Sequence, residues 1–137
     1  MRVHDDYKEW NIAAQIKDPD SAWTFWQSMI KLRKAHPVLV YGVFVPLDPE
    51  AEDNYTYIRH DPETGERVLV VLNFNAGEAR AGAPTTIDLE NLGVDIARAR
   101  LLISNDAAAV GSGIDGPITL DKWCGRIYLL DEEAPAN

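Results

Sequence analysis

Residues 18–42, DPDSAWTFWQSMIKLRKAHPVLVYG, decide the fold of this chain, because they join a helical pattern to a β-rich remainder. Large apolar residues recur in them at the helical period, which predicts an amphipathic helix over residues 19–35. Asp18 is the predicted N-cap, and Pro19 takes the first helical position, where its missing N–H costs nothing. Pro37 is expected to end the helix, because a residue before proline avoids helical geometry.

After this stretch, short runs of strand-forming residues alternate with turns. The loop HDPETGE at 60–66 is predicted to close a hairpin, with Pro62 and Gly65 as turn residues. The run from Arg67 to Phe74 is almost continuously apolar, which predicts a central strand buried on both faces. The predicted strands are residues 38–47, 55–59, 67–74, 85–89, 99–104, 118–120 and 126–130.

These patterns predict a mainly β fold, an antiparallel β-sandwich of Greek-key type with seven or eight strands, preceded by one long amphipathic α-helix. We divide the chain into an extended lead-in and helix over residues 1–37, a β-sandwich domain over 38–131, and a disordered tail over 132–137.

Charge and composition exclude several functions. The net charge of −9 argues against a nucleic-acid partner or an anionic membrane, because phosphate binding needs a basic surface. The sequence has no transmembrane run and no signal peptide, so we expect a cytoplasmic protein. The one cysteine, Cys124, is interpreted as a small buried hydrophobe rather than a nucleophile.

Several segments resemble, in order, the C-terminal part of the α-glucosidases and oligo-1,6-glucosidases of the α-amylase superfamily, glycoside hydrolase family 13. They are MRVHDDYKEWN (1–11), the helical stretch 18–42, VLNF (71–74), LLISN (101–105) and LDKWCGRIY (120–128). The chain departs from the family at His4, where asparagine is usual, and at Cys124, where an acidic residue is usual. The resemblance implies the last helix of a catalytic barrel followed by the terminal β-domain.

No catalytic residue can be assigned from the sequence. Glycoside hydrolysis needs two positioned carboxylates, one with a raised pKa, and none of the 22 acidic residues lies in a motif that would tune it. The resemblance implies that the family's catalytic carboxylates lie on earlier barrel strands, upstream of anything matched here. The spacing of the histidines and acidic residues predicts no metal site, and no motif indicates a cofactor.

Two groups of residues are candidates for facing a carbohydrate. Tyr55 and Tyr57 are two residues apart in a predicted strand, so their rings share one face. The other group corresponds to a family segment near the mouth of the active site, which implies a place close to substrate for Arg2, His4, Asp5 and Tyr7.

Three functions therefore compete. The first is a non-catalytic C-terminal module of an α-glucosidase-like enzyme, present without its catalytic barrel as a truncated gene product, an internal start or a fragment. The second is a stand-alone carbohydrate-binding protein for α-glucosides, and the third is a small enzyme with repurposed chemistry. Affinity for maltose or isomaltose separates the second from the first, and turnover of an aryl α-glucoside would favour the third.

The apolar face of the predicted helix also indicates that this chain binds another protein. In the family its apolar face packs against barrel strands, so the partner is either a missing catalytic barrel or a second copy of this chain. Exposed aromatic surface of this size usually marks an interface, so we expect a homodimer through the helix. The residues expected at this contact are Trp23, Phe25, Trp26, Met29 and Ile30.

Overall fold

The computed structural model describes residues 4–75, 82–106, 108 and 110–130. The chain divides into two compact units, Met1–Ala35 and His36–Asn137. The described part is mainly antiparallel β-sheet with a few helices, which confirms the predicted mainly β class. The predicted tail at 132–137 and the candidate residue Arg2 lie outside the described residues.

The first unit holds a 3-10 helix, Asp5–Lys8, and two α-helices, α1 (Ile12–Gln15) and α2 (Ala22–Ala35). The extended lead-in predicted before α2 is therefore wrong. Asn11 joins the first two helices, because its side-chain oxygen accepts a hydrogen bond from the Ala14 amide at 2.9 Å and its NH2 donates to the carbonyls of Tyr7 and Lys8. This single side chain both caps α1 and satisfies the end of the 3-10 helix.

Helix α2 begins at Ala22, so the predicted start at Asp18 and Pro19 is wrong. The hydroxyl of Ser21 accepts a hydrogen bond from the Thr24 amide at 3.2 Å and donates to the Gln15 carbonyl at 2.7 Å. Ser21 is therefore the residue that satisfies the first turn of the helix, because it is held by α1. The helix has 14 residues and ends two positions before Pro37, where the sequence predicts its end.

The second unit begins with a short helix, α3 (Val38–Tyr41), where the sequence predicted the start of a strand. The carbonyl of Pro37 accepts hydrogen bonds from the amides of Val40 and Tyr41 at 2.8 and 2.9 Å, and this turn overrides the β-propensity of the apolar residues. The strand β1 (Val43–Pro46) follows only after Gly42.

Six further strands follow β1. The first sheet has the order β1-β2-β3-β7-β5, and the second pairs β4 with β6. Every described pairing is antiparallel, and His60 lies opposite Arg67, which confirms the predicted hairpin. The strands are β2 (Asn54–His60), β3 (Arg67–Asn73), β4 (Thr85–Ile87), β5 (Arg100–Ser104), β6 (Ile118–Leu120) and β7 (Gly125–Leu130).

The core of the second unit draws side chains from both sheets. Strand β3 is the central strand, and its residues from Val68 to Val71 are at most 3% exposed, so burial on both faces is confirmed. The core cluster consists of Ile58, Leu69, Val71, Ile87, Leu89, Val94, Ile96, Ala99, Leu101, Ile118, Leu120, Tyr128 and Leu130.

Asn73 ties the end of β3 to the second sheet. Its side chain is 1% exposed, and its NH2 donates to the carbonyls of Ala83, Leu120 and Asp121 at 2.8 to 3.1 Å. Its oxygen accepts from the Asn75 amide at 2.8 Å. The buried amide thus satisfies carbonyls that the strand ends would otherwise leave without partners.

Candidate functional site

Three aromatic rings form a cluster on the outer face of the first sheet, which we call the aromatic platform: Phe44 of β1 with Tyr55 and Tyr57 of β2. The Phe44–Tyr57, Tyr55–Tyr57 and Phe44–Tyr55 ring centroids are 5.0, 5.3 and 6.2 Å apart. The two tyrosines share a face, as their spacing predicts. Phe44 was not predicted, because only the register of β1 against β2, with Phe44 opposite Arg59, brings it to the same face.

The platform points away from the core. The residues between and after the two tyrosines, Thr56 and Ile58, are buried on the inner face, whereas Phe44 is 42% and Tyr55 46% exposed, and Tyr57 is half-buried. Backbone pairing between β1 and β2 fixes the rings, with Pro46 opposite Tyr57. The three rings are therefore held in place by a pair of strands rather than by a flexible loop.

Arg59 lies on the same face of β2, two residues beyond Tyr57. Its guanidinium donates to the carbonyl of Val40 at 2.9 Å and is half-buried. The guanidinium thus binds the C-terminal end of α3, where carbonyls lack partners within the helix. The platform itself consists of neutral side chains.

The other carbohydrate-facing candidates belong to the first unit. His4, Asp5 and Tyr7 are all exposed, and Tyr7 is 52% exposed. The Nδ1 atom of His4 contacts a carboxylate oxygen of Asp6 at 2.5 Å. Asp5 and Tyr7 lie in the 3-10 helix and Tyr55 and Tyr57 in a strand of the second unit, so the candidates fall into two separate groups.

The apolar side chains of α2 remain accessible, and no residue of this helix is buried. Trp26 is 67% exposed, while Trp23 and Met29 are half-buried. The sequence-based prediction missed that the preceding segment contributes as well. The large apolar residues exposed in the first unit are Tyr7, Trp10, Ile12, Ile16, Phe25, Trp26 and Ile30.

Two described carboxylates have a shifted pKa, and in both the shift is downwards. Asp61 has a lowered pKa, chiefly because the Glu63 amide donates a hydrogen bond to it. Burial acts to raise the pKa of Asp106, but hydrogen bonds from the Ala108 amide and Arg126 outweigh burial, so this pKa is also lowered. A glycosidase acid needs the opposite shift. Nor do three His, Cys, Asp or Glu side chains of the described ranges come together as metal ligands would.

Cys124 is half-buried at the start of β7. Burial raises the pKa of its thiol, and the nearby carboxylates of Asp106 and Asp121 raise it further. A nucleophilic cysteine needs a lowered pKa, so this environment suits a packed thiol. An open depression of about 380 Å³ is lined in part by Arg126, whose guanidinium contacts Asp106 at 2.8 Å.

None of the helices in the described part of the chain is long and apolar enough to cross a membrane.

Proteins of known sequence and structure share this architecture. No protein-family profile matches the chain. An oligo-1,6-glucosidase from Parageobacillus thermoglucosidasius is 35% identical over 129 residues, which is 93% of this chain and 21% of the relative. The crystal structure of a trehalulose synthase variant superposes with a TM-score of 0.79 at 32% identity, over 95% of this chain and 22% of that protein. This chain matches a C-terminal fragment of the glycoside hydrolase family 13 α-glucosidases.

The family resemblance drawn from the sequence motifs is thereby confirmed. An α-glucosidase from Schizosaccharomyces pombe is also 34% identical over 88 residues, which cover 64% of this chain and 15% of that enzyme. The matched part of this chain spans only 15% to 21% of the length of these two relatives.

Proposed function

We propose that the chain is a non-catalytic C-terminal β-module of an α-glucosidase-like glycoside hydrolase, acting beside a catalytic barrel on the same or another polypeptide. The observation that carries the proposal is the match of nearly the whole chain to about one fifth of its relatives. The carboxylate environment supports it, because both described carboxyl groups with a shifted pKa, Asp61 and Asp106, are shifted downwards. Neither is suited to protonate a leaving group.

The experiment that tests this proposal is hydrolysis of an aryl α-glucoside by the purified chain. We expect no release of the aryl group, because an activated leaving group still needs a nucleophile or a positioned water. Turnover that persists through purification, and that is lost when one Asp or Glu of the chain is replaced, would refute the non-catalytic role and favour an enzyme with repurposed chemistry.

For the second unit we infer Greek-key connections within a β-sandwich. From β3 to β7, successive strands alternate between the two sheets, and β7 returns to lie beside β3. Alternation of this kind around a shared core is typical of sandwiches with Greek-key topology.

We further propose that the isolated chain self-associates through its first unit. Seven large apolar side chains there are between 38% and 73% exposed. At roughly 100–150 Å² of accessible surface each, they approach the ~800 Å² per partner that stable interfaces bury. Beside a catalytic barrel, the barrel would cover the same surface; without one, a second copy is the available partner.

A further inference from the structure

We propose that the aromatic platform of Phe44, Tyr55 and Tyr57 is a binding site for α-linked glucose oligosaccharides. The inference goes beyond the proposed module function, because it assigns a ligand to a surface of the chain itself. Its starting point is that three rings lie in contact on one solvent-facing surface, with two of them more than 40% exposed.

The geometry suits pyranose rings. The ring centroids are 5.0 to 6.2 Å apart, which is about the length of one glucose unit in a chain. The surface is not flat, because the ring planes are inclined to one another by 26° to 54°. A flexible α-linked disaccharide can follow such a surface with the apolar C–H faces of successive sugars. Because antiparallel strands hold the rings, little ordering cost is added on binding.

The chemistry of the platform favours a small amphipathic ligand over a protein. Together the rings expose about 300 Å², well below the ~800 Å² that each partner buries in a stable protein interface. The hydroxyl of Tyr55 can also exchange hydrogen bonds with sugar hydroxyls. A neutral sugar is not repelled electrostatically by a chain whose net charge is −9.

Strand addition by a second copy is a poor alternative at this edge of the sheet. Strand β1 has only four residues and ends in Pro46, which has no N–H to donate. The Leu47 amide, next along the chain, donates inward to the carbonyl of Thr56 at 3.0 Å. Short edge strands that contain proline resist pairing with another chain. The names of the oligo-1,6-glucosidase relatives independently suggest glucose oligosaccharides as the ligand class.

The test is a titration of the ¹⁵N-labelled chain with isomaltose, followed by amide chemical shifts. We expect saturable shifts confined to residues 43–46 and 54–60, with an affinity in the low-millimolar range that suits a shallow surface site. Sorbitol serves as the comparison ligand, because it offers hydroxyl groups without the apolar face of a pyranose ring. We expect no saturable shifts with sorbitol.

Variants then separate stacking from general surface effects. Tyr55→Ala and Phe44→Ala should each weaken isomaltose binding at least ten-fold, whereas Tyr55→Phe should retain most of it. The matched control is Tyr41→Ala, which removes a tyrosine that is 86% exposed but outside the platform and should leave the affinity unchanged. Amide spectra of the free variants confirm that each is folded.

Four results would overturn the proposal. Three of them are an absence of saturable shifts, equal shifts with sorbitol, and equal loss of binding in Tyr41→Ala and Tyr55→Ala. A fourth is movement of the same amide signals on dilution of the protein alone, which would identify the platform as a contact between copies. None of these results bears on the non-catalytic role, which turnover measures separately.

Discussion

At the scale of single residues, the groups with perturbed pKa values stabilise the second unit and are not poised for reaction. Arg126 holds Asp106 through two contacts of 2.8 Å, and Cys124 lies next to this ion pair. The same carboxylate that is stabilised as an anion raises the pKa of the thiol. The ion pair therefore contributes to both shifts, beside the burial of the thiol and the hydrogen bond from the Ala108 amide to the carboxylate.

We predict that Cys124 reacts slowly with alkylating reagents. Its raised pKa leaves less thiolate at neutral pH than a free cysteine has, and the side chain is half-buried. The measurement is the rate of alkylation by iodoacetamide near pH 7.5, and the chain contains one cysteine, so the signal has a single source. We expect a lower rate for the native chain than for the chain in denaturant. A native rate above the denatured rate would contradict this environment.

The ion pair also predicts a pH dependence of stability. The folded pKa of Asp106 is lower than its unfolded value of about 3.9, so charged Asp106 stabilises the fold above that pH. This contribution is lost as the pH falls through the folded pKa. Asp106→Asn should therefore lower the free energy of unfolding by about 2 kcal/mol at pH 7, and the difference from the parent chain should shrink below about pH 4.

The control for that measurement is Asp115→Asn, which changes an exposed carboxylate. Its effect on the free energy of unfolding should stay within about 0.5 kcal/mol. Urea unfolding at several pH values measures both variants. A difference between Asp106→Asn and the parent chain that stays constant from pH 7 to pH 3 would show that the ion pair is not the source.

At the scale of secondary structure elements, local pattern predicted most strands and failed where a side chain or a turn decides a boundary. The hairpin 60–66 and the buried strand β3 follow from turn residues and apolar runs alone. The start of α2 does not, because Ser21 is selected by its contact with Gln15 in another helix. Helix α3 was missed because its residues favour strands, and only the geometry after Pro37 places them in a helical turn.

The candidate site was predictable from the sequence only in part. The shared face of Tyr55 and Tyr57 follows from the two-residue period of a strand, but Phe44 joins them only through the register of β1 against β2. Pairing register depends on contacts between segments, and a single sequence does not reveal it. The exposure of Ile12 and Ile16 was not predicted either, because their segment was interpreted as an irregular lead-in rather than as a helix.

The junction between α3 and β1 gives a prediction about an element boundary. A Cβ atom at Gly42 would lie 2.6 Å from the Val38 carbonyl oxygen and 3.1 Å from that of His60, and backbone cannot move aside as a side chain end can. We expect Gly42→Ala to lower the free energy of unfolding by about 1–3 kcal/mol. Urea unfolding monitored by circular dichroism gives the value.

Gly113 provides the matched glycine for this comparison. A Cβ atom there would meet its nearest neighbour, the Ala99 carbonyl oxygen, at 3.5 Å, which is an ordinary contact. Gly113→Ala should therefore change the free energy of unfolding by no more than about 0.5 kcal/mol in the destabilising direction. Equal destabilisation by the two variants would show that the close approach at Gly42 is not the cause of the lower free energy of unfolding.

At the scale of the whole molecule, the two units differ in how well they bury their apolar residues. The second unit has a core shared by two sheets, whereas α2 of the first unit has no buried residue. Accessible apolar surface of this extent usually marks an interaction site. We therefore propose that either a catalytic barrel or a second copy of the chain covers the apolar surface of the first unit.

We predict that the purified chain is a dimer at micromolar concentration, measured by light scattering. Combining Phe25→Glu with Trp26→Glu places two charges in the proposed contact and should give a monomer. Tyr41→Glu is the control, because it adds a charge at an exposed aromatic position of the second unit and should leave the dimer intact. A monomeric parent chain, or a dimer that survives the double substitution, would contradict the proposal.

The central claim is that this chain is a part of an α-glucosidase that does not itself hydrolyse the glycosidic bond. The most direct measurement follows the anomeric proton signals of isomaltose by NMR during prolonged incubation with the purified chain. We predict that the isomaltose signals keep their intensity and that no free glucose accumulates. Glucose formed at a rate proportional to the chain concentration, and abolished by replacing a single Asp or Glu, would contradict the account.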